Sequence, residues 1–192
     1  EGFRNVVHAA EGAALGTGTK MDYEIIHGNH EILPNDTLSR VMYANMVTVG
    51  GFRFDEKEKA FAAQLGRTLP GARTAALELA EMIQPYDANP PITQASTDVG
   101  DITWNVPTAG CMAAVTVPGV PLHSWQATAC TGTTIGLKGM MVAAKTLALT
   151  TIDYFLQPET LVKAKAEFVQ RRGDYKYVPL LGDRKPPLDF RS

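Results

Sequence analysis

The sequence predicts an α/β fold, in which amphipathic helices are accompanied by two short strands. Helices are indicated by apolar residues that recur every three or four positions, as in residues 3–15. One strand is indicated by the alternation of apolar and polar residues over 20–27. A second, buried strand is indicated by the short apolar run 111–117.

Most of the predicted helices have a recognisable start. Asn35 or Asp36 is expected to cap the second helix, because short polar side chains accept hydrogen bonds from free backbone N–H groups. Asp55 followed by Glu58 forms a capping-box pattern at the start of the third helix. Pro158 suits the first turn of the last one. The predicted helices span about residues 3–15, 35–49, 55–69, 74–83, 132–155 and 158–172.

The packing of the last two helices follows from where their apolar residues lie. The helix 132–155 carries apolar residues on nearly all its sides, which is typical of a mostly buried helix. In the last helix, Leu161, Ala164 and Phe168 share one face and are expected to point into the core. The segment 84–94 contains three prolines and is predicted to be a loop.

Composition excludes several classes of function. The chain has 192 residues, of which 45% are hydrophobic, which is enough for one substantial core. A net charge of −2 gives no electrostatic reason to expect nucleic acid or a membrane as partner. The longest apolar run, 139–151, contains Lys145 and is too short to span a bilayer. Without a visible signal peptide we expect a cytoplasmic protein, in which Cys111 and Cys130 are buried free thiols rather than a disulfide.

Two carboxylates and one histidine form the candidate site. Asp98 and Asp101 lie three residues apart, and either could bind a cation or take part in ordinary turn chemistry. His123 follows Pro118 and Pro121, which fix the backbone direction as a metal ligand requires. A histidine that merely packs in a turn is the alternative. A hydrolytic metal centre needs about three to five protein ligands, and this chain supplies no obvious full set.

The start of the long helix and the other histidines offer weaker signals. Backbone N–H groups at 131–134 could attract an anion, although plain capping by threonine explains the same pattern. Lys138 could face that anion or extend to the surface. His27 and His30 bracket a predicted turn, so we expect no metal role for them. No phosphate-loop, dinucleotide, HExxH or CxxC motif is present.

Several motifs together resemble a known family. The segments 96–101 (STDVGD), 121–126 (PLHSWQ) and 135–140 (IGLKGM) follow one another in this order, after 9–19 (AAEGAALGTGT) and 33–38 (LPNDTL). This combination resembles the C-terminal portion of the amidohydrolases that are similar to the B-subunit of aminobenzoyl-glutamate hydrolase. These proteins belong to the two-metal peptidases and N-acyl amino acid amidohydrolases. The resemblance covers essentially the whole chain.

The resemblance implies a domain organisation and a set of site residues. Residues 1–33 would be the terminal helix and strand of an α+β lid and dimerisation domain. Residues 34–192 would be the C-terminal half of a catalytic domain with helices on a mixed sheet. His123 would bind a divalent metal, zinc or else manganese, and Thr97 and Asp98 would contact substrate. The other ligands and the catalytic glutamate would lie in the N-terminal half. Leu137 departs from the family pattern, in which a histidine is common.

The function implied by the resemblance is hydrolysis of an amide bond in N-acyl amino acid or aminobenzoyl-glutamate-like substrates by a metal-activated water. The alternatives are a dipeptidase of the same family and a non-catalytic fragment or module that needs a partner chain. The chain begins with Glu1 in what reads as mid-domain sequence, so we expect a piece of something longer. Alone it is expected to be inactive. Its expected partners are the N-terminal half, a small amide substrate with a carboxylate and, for the parent protein, a second copy.

Overall fold

The computed structural model describes residues 1–69, 77–90 and 95–181, together with Lys185 and Leu188. Within these residues every regular element is a helix. The described helices are α1 (Gly2–Thr17), α2 (Asp36–Val49), α3 (Glu56–Gly66), α4 (Glu78–Glu81), α5 (Val99–Thr103), α6 (Trp125–Thr131), α7 (Thr134–Leu156) and α8 (Pro158–Arg172).

The predicted α/β fold with a mixed sheet is wrong for the part of the chain that the structure describes. Neither 20–27 nor 111–117 forms a strand. Alternation and apolar runs are local signals, whereas a strand requires a neighbour with which to exchange backbone hydrogen bonds. The apolar character of 111–117 has another cause. A Cβ atom added to Gly139 of α7 would lie 2.0 Å from the carbonyl oxygen of Ala114, so this segment packs directly on α7.

The chain divides into two compact units, of which the first comprises Glu1–Asn29 and Val178–Ser192. Its main element is α1, where the ring of Phe3 packs edge-on against Tyr23 at 5.8 Å between centroids. All residues of α1 are described, and none of them is buried. The apolar face that its spacing predicts is only partly covered: Val7, Ala10 and Ala14 are half-buried, and Phe3 and Val6 are exposed.

The second unit, His30–Tyr177, contains the remaining helices. Here α2 packs against α7 and α8, and α6 packs against α7. The principal core combines α3, α6 and the start of α7 with the turn 117–120. Its buried members are Phe54, Ala62, Leu65, Leu69, Val117, Val120, Ala127, Cys130 and Ile135.

The predicted helix starts are confirmed in detail. The N–H of Leu38 donates to Asn35 Oδ1 at 3.1 Å, so Asn35 caps α2. Its amide also donates to the carbonyl of Ala164 at 2.8 Å, which ties α2 to α8. Asp55 and Glu58 form the reciprocal capping box of α3. Of the predicted helix 74–83, the described residues show the single turn α4. Its first residues, 74–76, lie outside the described residues, as do 70–73 and 91–94.

The prediction for α7 was right in position and wrong in burial. Its buried positions are Ile135, Gly136, Gly139, Thr146 and Thr150. Its large apolar side chains are mostly exposed instead. Within the described residues, α7 is also the one helix long and apolar enough to cross a bilayer, a criterion that the core helix of a soluble protein can also meet. In α8, Ala164 and Phe168 are buried as predicted, whereas Leu161 is not.

The two cysteines are free thiols, as predicted. Cys130 is fully buried in the core, whereas Cys111 is only half-buried. Burial raises the pKa of both thiols. A raised pKa keeps a thiol protonated and poorly nucleophilic at neutral pH, so neither is suited to attack a substrate.

Candidate functional site

His123 lies in a bend that is held firmly on both sides. Before it, the N–H of Val120 donates to the carbonyl of Val117 at 3.2 Å, and both side chains are buried. Gly119 adopts a φ of 86° in this turn, a conformation that a residue with a Cβ rarely adopts. After it, Ser124 caps α6 by accepting from the N–H of Ala127 at 3.2 Å.

The side chain of His123 itself is exposed. Within the described residues it makes no hydrogen bond or ion pair, and no group of three or more His, Cys, Asp or Glu side chains lies where it could hold a metal. A zinc ion normally takes four ligands. The described residues therefore do not form a metal site by themselves. The metal role of His123 stays a prediction, made from the family resemblance and from the firmly held backbone of the bend.

Thr97 and Asp98 lie at the start of α5, and both are exposed. The Thr97 hydroxyl accepts from the N–H of Val99 at 3.3 Å. Asp98 is at the N-cap position, but its side chain makes no capping hydrogen bond. Its carboxylate is therefore not engaged in the capping that the alternative interpretation expected. Among the described residues no hydrogen bond joins Thr97 or Asp98 to His123, and their role in substrate binding stays a prediction.

The short helix α5 is anchored to the segment 30–33, which the sequence did not indicate. A Cβ atom on Gly100 would lie 1.9 Å from the carbonyl oxygen of His30, so only glycine fits there. The Thr103 hydroxyl donates to the Gly100 carbonyl at 2.6 Å and accepts from the N–H of Leu33 at 2.9 Å. The indole of Trp104 donates to the carbonyl of Glu31 at 2.8 Å. This packing fixes the position of Asp98 at the helix start.

Asp101 and His30 belong to an aromatic cluster beside α5. Tyr177 donates to the Asp101 carboxylate at 3.1 Å, and desolvation together with this bond raises the pKa of Tyr177. The His30 ring lies 5.9 Å from the ring of Tyr175 and 5.3 Å from that of Tyr177. Because these rings pack on one another, the cluster is structural.

An apolar groove of about 460 Å³ adjoins the His123 bend through Leu122. One wall is α7 with the segment 112–116, and another is the region of α4. Among the described residues that line it, none is charged. The groove can therefore accept an apolar group, but these residues offer no carboxylate or imidazole to a metal. Representative lining residues are Phe52, Ile83, Met112, Pro118, Leu122 and Val142.

A buried ion pair at the base of α7 was missed by sequence reasoning. Lys138 Nζ lies 2.7 Å from a carboxylate oxygen of Glu58, whose side chain is 5% exposed. That carboxylate also accepts from the Thr134 hydroxyl at 2.6 Å and from the N–H of Asp55 at 2.8 Å. The two partners are 80 residues apart in sequence. The sequence predicted that Glu58 takes part in the capping box of α3, and no local pattern in the sequence pairs it with Lys138.

This pair answers the question left open for the start of α7. Thr133 caps the helix by accepting from the N–H of Ile135 at 3.3 Å. Lys138 is directed to Glu58 and to the carbonyl of Arg53 at 2.9 Å. Capping therefore explains Thr133, and Thr134 and Lys138 both have Glu58 as a structural partner.

Comparison with known proteins gives one clear relationship. Over an alignment of 190 residues, the chain is 34% identical to the B-subunit of p-aminobenzoyl-glutamate hydrolase from Escherichia coli (strain K12). The alignment covers 88% of this chain but 40% of that protein, so the chain spans less than half the length of the relative. No protein-family model matches the chain, and no solved structure does. The resemblance inferred from the motifs is confirmed: the chain is a relative of a portion of this hydrolase subunit.

Proposed function

We propose that this chain is one part of a hydrolase that cleaves an amide bond beside a carboxylate, in N-acyl amino acid or aminobenzoyl-glutamate-like substrates. The observation that carries the proposal is 34% identity, along 88% of the chain, to a protein named as an aminobenzoyl-glutamate hydrolase subunit. That name also makes a partner chain plausible, because it describes one subunit of a larger hydrolase.

In this proposal His123 supplies one ligand to a divalent ion, and Thr97 with Asp98 contacts the substrate. Imidazole and carboxylate ligands suit zinc, and manganese is the alternative. When bound, such an ion polarises the amide carbonyl and activates a water molecule. The remaining ligands and the general base have no counterpart among the described residues. The hydrolytic step therefore belongs to the assembled protein, and this chain alone is expected to be inactive.

The domain assignment and the setting of the parent enzyme are part of the same proposal. Residues 1–33 would belong to a lid and dimerisation domain, and residues 34–192 to the catalytic domain. The parent protein would be a cytoplasmic homodimer. A dipeptidase of the same family differs only in substrate, and the residues that select it would lie outside this chain.

A non-catalytic module is the second candidate function. Two observations favour it: the described residues contain no complete metal site, and α7 exposes large apolar side chains. A folded module that needs a partner chain would show both features. Hydrolysis by the assembled protein separates the two candidates.

The test uses a chimera in which this chain replaces the matched 40% of the E. coli relative. We expect the chimera to hydrolyse p-aminobenzoyl-glutamate and to contain zinc or manganese by elemental analysis. His123→Ala should remove metal and activity together. His8→Ala is the matched control, because His8 is also an exposed histidine and lies on α1.

Each outcome has a separate meaning. If His123→Ala retains both metal and activity, the site assignment is wrong. If a folded chimera binds metal but hydrolyses no amide, the hydrolase proposal fails. A folded chimera without metal or hydrolysis favours the non-catalytic module.

A further inference from the structure

The long helix α7 has its polarity reversed with respect to the unit in which it packs. Apart from Ile135 in the first turn, its buried positions, such as Gly139, Thr146 and Thr150, are small or polar. Its outward positions carry large apolar side chains, of which Phe155 is 81% exposed. A helix at the surface of a globular protein normally shows the opposite arrangement. The exposed apolar residues are Leu137, Met140, Met141, Leu147, Ile152 and Phe155.

The inward face cannot exchange places with the outward one. Asn45 of α2 donates to the Asp153 carboxylate at 2.6 Å and approaches the Thr150 hydroxyl at 3.4 Å. The carbonyl of Ala114 lies against Gly139 too closely for any larger residue. These contacts hold α7 in one rotation about its axis, so the apolar residues remain outside in the described part of the chain.

The outward face is large enough to be an interface. Together with the exposed alanines Ala144 and Ala148, these residues form a continuous stripe from Leu137 to Phe155. The stripe is about 27 Å long at the rise of an α-helix. The six large side chains leave on the order of 700 Å² uncovered. The largest apolar patch of a typical monomer is about 300–600 Å². A stable interface buries roughly 800 Å² on each partner, which is close to this area.

We propose that the outward face of α7 is covered by the portion of the hydrolase that has no counterpart in this chain. The inference rests on the proposed function. The chain matches 40% of its relative, so the remaining 60% of such a protein is polypeptide that could supply an apolar partner surface. On another side, α7 borders the apolar groove at Gly139 and Val142.

The position of Lys145 disfavours a second copy of this chain as the partner. Lys145 is the one charged residue among the exposed positions of α7, all of which are described, and it lies at mid-helix. A two-fold antiparallel contact between two α7 helices would bring both lysines to the same edge of the interface. Like charges side by side in an apolar contact are unfavourable. A different polypeptide need not place a second lysine beside Lys145.

The test measures how fast a cysteine on the outward face reacts with a maleimide. Ile152→Cys is introduced into the chain alone and into the chimera that carries the remaining portion of the relative. We expect labelling at least about tenfold slower in the chimera. Val162→Cys on α8 is the control, because Val162 is 70% exposed and lies off the stripe. Its labelling rate should be the same in both proteins.

Three results would overturn the proposal. Equal labelling of Ile152→Cys in the chain and in a folded chimera would show that the face stays uncovered. A chain that sediments as a dimer, and becomes monomeric with Ile152→Glu, would assign the face to a second copy. Protection that requires phosphatidylglycerol vesicles would assign it to a membrane surface.

The labelling result is independent of the proposed activity. A protected face in a chimera that hydrolyses no amide would retain this inference and reject the hydrolase. If the chimera hydrolyses the amide but Ile152→Cys still reacts as fast as in the chain alone, the hydrolase proposal is retained and this inference is rejected.

Discussion

Removal of the Lys138 ammonium group tests the main electrostatic contact of the fold. In Lys138→Met the side chain keeps most of its length, but the Glu58 carboxylate loses the donor at 2.7 Å. The carboxylate still accepts from Thr134 and from the N–H of Asp55. The variant therefore leaves a charge that is buried and only partly compensated.

The expected cost follows from the burial of the two partners. Breaking a buried ion pair by removing one partner costs about 3–5 kcal/mol. Lys138 is 34% exposed, and Glu58 keeps two other donors, so we expect about 2–3 kcal/mol. Lys59→Met is the matched control. Its partner Glu56 is 89% exposed, so the free energy of unfolding should change little.

The pH dependence of stability gives an independent readout. Burial alone would raise the pKa of Glu58, but hydrogen bonds from Lys138, Thr134 and the backbone of Asp55 outweigh it and hold that pKa below its usual value. Stability from Glu58 is therefore present above the ordinary pKa of a glutamate and is lost as the pH falls through the lowered value. In Lys138→Met the pKa of Glu58 should rise, so the loss of stability on acidification should begin at a higher pH.

The assay is urea unfolding followed by circular dichroism between about pH 3 and 8. A loss for Lys138→Met no larger than that for Lys59→Met would refute the reasoning. An unchanged midpoint of the acid-induced loss of stability in Lys138→Met would also refute it. Either result would mean that the Glu58 carboxylate is better solvated than the structure indicates.

Three further predictions concern packing, capping and ionisation. Gly139→Ala should lower the free energy of unfolding by about 1–3 kcal/mol, because the added Cβ would collide with Ala114. The control Gly12→Ala meets no neighbouring atom and should raise the free energy of unfolding by about 0.5–1 kcal/mol. Equal effects of the two variants in urea unfolding would contradict the close packing of Gly139. Ser124→Ala should cost about 1 kcal/mol by removing the cap of α6, and an unchanged midpoint would argue against that cap. Burial, together with the nearby Asp153 charge, raises the pKa of Tyr154 to about 12. The contribution of Tyr154 to stability is therefore present below the ordinary tyrosine pKa and is lost as the pH rises through the raised value. Tyr154→Phe should remove no ultraviolet titration step below about pH 11.

Helices with local signals were predictable from the sequence. The apolar spacing and caps at Asn35 and Asp55 predicted α2 and α3, because the residues that start a helix lie next to it. The strand predictions at 20–27 and 111–117 failed because these segments have strand-like patterns but no pairing neighbour among the described residues. The helix α5 was missed because five residues are too few to show a helical period.

The backbone support of His123 was predictable from the sequence, whereas contacts between residues distant in the chain were not. Pro118, Gly119 and Pro121 indicated a rigid support for His123, and the structure has that support. The pairing of Glu58 with Lys138 joins residues far apart in the chain, and only the packing of α3 on α7 brings them together. The burial of α7 was misjudged because an all-round apolar pattern does not show which sides of the helix the rest of the chain covers.

The central claim is that this chain is part of a metal-dependent amidohydrolase. It is tested most directly by the intact mass and metal content of the protein purified from its native source. We predict that the chain is found within, or together with, additional polypeptide and that the assembly contains zinc or manganese. A native protein with the mass of this chain alone and no bound divalent metal would contradict the claim.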